Sequence, residues 1–122
     1  MKIAKWWSQE EDNKVQCNLC PHLCTISPDK IGLCHVRKNV EGKLYSLVYG
    51  NPAALNVDPI EKKPLYHFYP GTKAFSIGTV GCNLACKFCQ NWQLAQGEPK
   101  SSKQEFSPHE VVELARERNC KS

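Results

Sequence analysis

No stretch of this chain comes near the ~20 consecutive apolar residues that a membrane-spanning helix needs. The first residues, Met1-Lys2-Ile3-Ala4-Lys5-Trp6-Trp7, hold no long apolar run and no small-residue cleavage signature. The sequence therefore predicts a cytoplasmic protein with no membrane partner. Internal repeats and low-complexity tracts are also lacking, which argues against repeat arrays and compositionally biased tails. The 122 residues are enough for one small domain or two very small ones. A 41% hydrophobic and 23% charged composition is ordinary for a globular chain.

Cysteine is abundant: there are eight in 122 residues. A secreted chain would use them as disulfides, but without an export signal metal binding is the better reading. Metal would also change the meaning of the formal charge of +4. A zinc ion held by four thiolates carries −2, and a four-iron cluster in its 2+ state held by three carries −1. With both in place the remainder is about +1. The positive residues are dispersed, without the basic stripe and exposed aromatics of a nucleic-acid module. Nucleic acid is therefore not expected as a partner.

The cysteines fall into two groups. Cys17, Cys20, Cys24 and Cys34 come early, Cys82, Cys86 and Cys89 come late, and Cys120 stands alone. Between the groups, Gly50 to Gly71 contains Pro52, Pro59, Pro64 and Pro70. Prolines so close together forbid a regular helix and disfavour a central strand. Leu65, Phe68 and Tyr69 mark the segment as an ordered crossing rather than a linker. We divide the chain into a cysteine-rich module with its crossing segment, residues 1–72, and a second region, 73–122.

Local signals are clear at several points. Ala4–Trp7 and Lys14–Cys17 flank Glu11-Asp12-Asn13 and predict a hairpin. Lys43–Tyr49 follows a Gly42 turn and predicts a strand paired with Cys34–Lys38. Ala74–Val80 is short, apolar and β-branched, and predicts a buried strand. Ser107, Pro108 and Glu110 form a helix start with a capping box, followed by Val111, Leu114, Ala115 and Arg118 at helical spacing. Gly97–Glu105 reads as a surface loop, and Cys120 as the small apolar start of a further buried strand.

The late triplet has the spacing Cys-x3-Cys-x2-Cys, directly after the Ala74–Val80 strand. Gly81 lets the backbone turn tightly before it, and Phe88 supplies a flat aromatic face beside Cys89. Three thiolates can hold three irons of a four-iron cluster and leave the fourth open. An open metal position serves chemistry, because an outside molecule can coordinate there. A closed four-cysteine site would only store or pass electrons. The alternative is a structural zinc site completed by a distant His or by Cys120.

The run Gly81-Cys82-Asn83-Leu84-Ala85-Cys86-Lys87-Phe88-Cys89-Gln90-Asn91 resembles the signature loop of the radical S-adenosylmethionine (SAM) superfamily. Cys20-Pro21-His22, Gly32-Leu33-Cys34 and Glu61-Lys62-Lys63-Pro64-Leu65-Tyr66-His67 extend the resemblance. Together they resemble the radical SAM enzyme of the AmmeMemoRadiSam system, related to pyruvate formate-lyase activating enzymes. The resemblance implies a 4Fe–4S cluster on Cys82, Cys86 and Cys89, SAM on the open iron, and Phe88 against the SAM adenine. It implies an enzyme that cleaves SAM reductively to a 5′-deoxyadenosyl radical for hydrogen abstraction. An activase that forms a glycyl radical on a substrate protein is one subtype. An electron donor such as flavodoxin or ferredoxin is implied as a further partner. No catalytic residue beyond these ligands is assigned. The implied fold is α/β, the start of a partial (β/α)6 TIM-like barrel preceded by a small cysteine-rich, mostly β or loop module. On that view the chain is the N-terminal part of a longer enzyme and is inactive alone. The competing functions are a zinc-binding nucleic-acid module and an electron-transfer iron–sulfur protein.

Cys17, Cys20, Cys24 and Cys34, at x2, x3 and x9 spacing, supply one complete tetrahedral site. Cys17-Asn18-Leu19-Cys20 has the spacing of a zinc knuckle, with His22 and His35 as substitute ligands. A module this small gains the stability it needs from a metal. Zn2+ and a second iron–sulfur cluster both remain open, although the ferredoxin spacing is not matched. Buried, unligated thiols are the bland alternative. Trp6, Trp7 and Trp92 are read as packing residues, Lys62 and Lys63 as a solvated pair, and His67 and His109 as surface histidines.

Overall fold

The structure is a computed structural model that describes residues 1–100 and 105–122. The predicted loop Gly97–Glu105 falls in part on 101–104, outside the described residues. The chain forms two compact units, each assembled from two stretches. One holds Met1–Tyr49 with Val80–Ser101, and the other holds Gly50–Thr79 with Ser102–Ser122.

In the first unit, β1 (Lys2–Ile3), β2 (Trp7–Gln9), β3 (Val15–Cys17), β4 (Thr25–Ile26), β5 (Arg37–Val40) and β6 (Lys43–Ser46) make two three-stranded sheets. Their orders are β1-β6-β5 and β2-β3-β4, and every pairing is antiparallel. The β5–β6 hairpin closes on Val40↔Lys43 with a two-residue turn. Glu41 and Gly42 both have positive φ, 51° and 77°. That is the turn whose twist matches the flanking strands, and glycine at its second position removes most of the strain. The paired strand is Arg37–Val40 rather than Cys34–Lys38, because Gly32–His35 is itself a turn, closed by His35 N–H donating to the Gly32 carbonyl at 2.9 Å. The β2–β3 hairpin forms with Trp7 opposite Cys17. It begins later than the predicted Ala4, because Trp6 sits at φ 54° and breaks the strand.

Ala4, Val15, Cys17, Ile26 and Leu44 form the core, with Trp7 and Cys24 packed against it. Val15 and Leu44 are fully buried, and each contributes about 1.5–3 kcal/mol of hydrophobic stabilisation. Asn39 is fully buried as well. Its amide donates to the carbonyls of Asn13 and Ile26, both at 2.8 Å, and its Oδ1 accepts from Gly42 N–H at 3.0 Å. One side chain thus ties the β2–β3 turn and β4 to the β5–β6 turn with no polar atom left over. A short α-helix, α1 (Trp92–Ala95), follows the late cysteine loop.

The second unit is a two-stranded antiparallel ribbon, β7 (Ala54–Pro59) and β8 (Lys73–Gly78), with one helix, α2 (Pro108–Glu117). β7 follows Pro52 and ends on Pro59, in a sheet that has no central position, so the proline rule is respected. Ile60 and Ala74 are its buried apolar residues. The predicted helix start is present in full. Glu110 N–H donates to Ser107 Oγ at 3.2 Å, and Ser107 N–H donates to the Glu110 carboxylate at 2.7 Å. Cys120 is half-buried in the irregular segment after α2 rather than in a strand.

The expected fold class is corrected. Among the described residues there is no (β/α) repeat and no barrel; the protein is mostly small antiparallel sheets with few helices. β8 is the strand read as the start of a barrel, but its partner β7 is antiparallel. Nor is β8 buried: Ile77 is 54% exposed. A short apolar run reads alike in a buried parallel sheet and in a two-stranded ribbon.

Candidate metal centre

Cys17 lies on β3, and its N–H donates to the Cys24 carbonyl at 2.9 Å as the chain returns towards β4. Cys20 opens the turn between them, closed by Leu23 N–H to the Cys20 carbonyl at 3.1 Å. Cys34 sits in the Gly32–His35 turn that leads into β5. All four early cysteines line one cavity of about 450 Å³. Its walls are largely apolar, from Leu19, Ile26, Leu33, Val36 and Val48.

The late loop borders the same cavity, through Gly81, Cys82 and Asn83. Gly81 has φ 92°, and its N–H donates to the Leu94 carbonyl at 3.0 Å, closing the loop against α1. A methyl group on Gly81 would collide with Val36 Cγ1 and come within 2.7 Å of the Cys34 carbonyl oxygen. The glycine therefore allows the triplet to begin directly against the early cysteine turn. His22 Nε2 is 2.7 Å from the Asn83 carbonyl. A carbonyl only accepts, so Nε2 carries the proton. The ring of His22, a substitute ligand by the sequence, fastens the early cysteine turn to the late loop through Nε2.

Cys82 and Cys89 are half-buried and Cys86 is exposed. Cys89 N–H donates to the Cys86 carbonyl at 3.2 Å, a turn that sets these two close in the chain. Phe88 is 91% exposed, so its face is open to a ligand. All eight cysteines are free thiols. Among the described residues, no three His, Cys, Asp or Glu side chains are already arranged around a single ion position. The donor chemistry suits the implied groups: soft thiolates select zinc and iron–sulfur clusters.

Two features were not singled out from the sequence. Arg37 lines the early-cysteine cavity, and its Nη1 is buried without a hydrogen-bond partner. A lone arginine in a strand rich in basic residues gives no sequence signal for that. In the second unit, Lys62 and Lys63 are exposed, as expected of a solvated pair, but share a partner the sequence does not point to. Each Nζ stands 2.8 Å from the Asp58 carboxylate, and Ser76 Oγ donates to the same group at 2.8 Å. These donors, Lys62 first, hold the Asp58 carboxyl well below the usual carboxylate range. Trp7 packs as expected and donates to the Ala4 carbonyl at 3.0 Å, whereas Trp6 and Trp92 are more than 60% exposed. His67 and His109 are exposed.

The chain is 44% identical over 121 residues to an uncharacterized protein, MJ0808, of Methanocaldococcus jannaschii. The match takes in 98% of this chain and 36% of that protein, so the chain spans little more than a third of its curated relative. No family model matches the chain, and no solved structure matches it. No helix among the described residues is long and apolar enough to cross a membrane.

Proposed function

We propose that Cys82, Cys86 and Cys89 hold a 4Fe–4S cluster of the radical SAM kind, and that the chain is the cluster-bearing part of a SAM-cleaving enzyme. The observation that carries this reading is the loop from Gly81 to Asn91. It presents three free thiols, one of them exposed, beside an aromatic ring that is 91% exposed. When bound, such a cluster leaves one iron open to SAM and supplies the electron that cleaves it to methionine and a 5′-deoxyadenosyl radical.

The residues of the chain bind and orient. The three thiolates take three irons. Gly81 starts the loop at a backbone angle that a side chain resists, and the His22 ring holds Asn83. Phe88 offers its face to the adenine of SAM. A donor of the flavodoxin or ferredoxin class would reduce the cluster. An activase that forms a glycyl radical on a substrate protein is one subtype of such an enzyme.

Anaerobic reconstitution with iron and sulfide tests the reading. The expected result is a reducible four-iron EPR signal that shifts when SAM is added and disappears in Cys86→Ser. Tight zinc at these thiols, with no reducible cluster, would overturn it.

A further inference from the structure

The early cysteines and Arg37 carry an inference that is independent of the triplet. We propose that Cys17, Cys20, Cys24 and Cys34 ligate one dianionic tetrathiolate metal centre, with the half-buried Arg37 side chain as its counter-charge through Nη1.

One buried polar atom of the first unit has no partner. A buried guanidinium nitrogen without a partner is costly, because it has given up water for no hydrogen bond. Arg37 Nη1 is in that position, and Arg37 belongs to the wall of the cavity that the four thiols line. Guanidinium only donates and cannot lose its charge in a protein. The missing partner is therefore an anion, or an acceptor that carries negative charge. Neutral thiols do not qualify, since their sulfur is a weak acceptor.

Metal ligation resolves both problems together, because it deprotonates the thiols. Four thiolates on Zn2+ carry −2, and so do four thiolates on a four-iron cluster in its 2+ state. Arg37 Nη1–H then donates to a thiolate sulfur, a charge-assisted bond in an apolar surround. The other donors nearby are assigned elsewhere. His22 Nε2 is spent on the Asn83 carbonyl, and Cys82 belongs to the triplet by its spacing. Cys17 and Cys24 are already drawn together by a backbone hydrogen bond.

The test uses the full chain with Cys82→Ser, Cys86→Ser and Cys89→Ser combined, so that the late loop cannot contribute. It is loaded anaerobically with Zn2+ in one arm and with Fe2+ and sulfide in the other, and the sulfur ligands are counted by X-ray absorption. One centre per chain with four cysteine sulfurs, in either arm, is the expected result; the arm that fills identifies the metal. Cys17 is a core residue, so ligand loss is tested with Cys34→Ser and Cys20→Ser, each of which should abolish the four-sulfur centre. Arg37→Met should weaken metal affinity 10–100-fold, the usual effect of removing a group that supports the ligands, and Arg37→Lys should recover most of it. Failure of the triple variant to retain metal in both arms, or retention unchanged in Cys34→Ser, overturns the site. Equal affinity in Arg37→Met and the parent overturns the counter-charge. Because the triplet is absent throughout, neither failure touches the SAM-cluster reading.

Discussion

Replacing Gly81 by alanine should damage the first unit more than any other single added methyl group at a glycine turn. Two costs combine there. A non-glycine residue held at φ 92° loses about 1–2 kcal/mol to backbone strain. The new Cβ also meets the Val36 side chain and the Cys34 carbonyl oxygen at 2.7 Å, and overpacking of this kind costs about 1–3 kcal/mol. The sum is about 2–5 kcal/mol. Gly42→Ala is the matched control in the same unit. Its φ is 77°, but its Cβ would approach nothing closer than Asn13 Oδ1 at 3.4 Å, so only the strain of about 1–2 kcal/mol applies.

All three tryptophans, Trp6, Trp7 and Trp92, lie in this unit. Urea unfolding followed by tryptophan fluorescence therefore reports on it selectively. Gly81→Ala should lower the midpoint well beyond Gly42→Ala. Adding Val36→Ala should recover only part, because the Cys34 carbonyl and the backbone angle remain. A Gly81→Ala midpoint equal to that of Gly42→Ala would refute the close approach of the two cysteine segments.

Asn39→Ala removes three hydrogen bonds and orphans two carbonyls, that of Ile26 buried, and one N–H, a loss of about 2–4 kcal/mol in the same fluorescence assay. Asn39→Asp should be at least as damaging, since a carboxylate cannot donate to the Asn13 and Ile26 carbonyls. In the second unit, Asp58 is held ionised by Lys62, Lys63 and Ser76, so its folded pKa lies below the unfolded value of about 3.9. Its contribution is thus complete above that value and is lost as pH falls through it towards the folded pKa. Amide exchange across β7 and β8 between pH 6 and pH 3 should show protection falling in the parent, and a flatter, lower profile in Asp58→Asn. An unchanged acid slope in the variant would remove Asp58 from the account.

Features closed within a few residues were legible in the sequence. The capping box at Ser107–Glu110 needs only side chains three apart, and the β5–β6 turn needs only Gly42 in the right place. What was not legible depends on pairing across distance. β7 was hidden because its prolines argued against a strand, although they exclude only a central one. β8 was given the wrong neighbours because an apolar run of six residues does not say which strand it will meet. The triplet and the early four are both picked out by spacing, which is a local property. That Cys82 lines the cavity of the early four is not legible in this way, because it depends on Gly81 reaching Val36 and on His22 reaching Asn83, some sixty residues away. Asp58 escaped for the same reason: its partners Lys62 and Lys63 are near in sequence, but its burial is set by β8.

Cys82 is where the two cysteine groups have to be told apart. By spacing it belongs with Cys86 and Cys89, and by position it lines the cavity of Cys17, Cys20, Cys24 and Cys34. A terminal thiolate completes one centre. If Cys82 closed the early site, that site would have five thiolates for four positions and the late loop would keep two, too few for a cluster with one open iron. Assigning Cys82 to the late loop gives four and three, and both numbers have a chemical use. His22 Nε2 stands at the Asn83 carbonyl, so the residue after Cys82 is tied at the cavity edge. Gly81 stands at the boundary, and its lack of a side chain lets the two loops approach. If the seven cysteines ligate as proposed, Gly81→Ala should disturb metal retention at both sites.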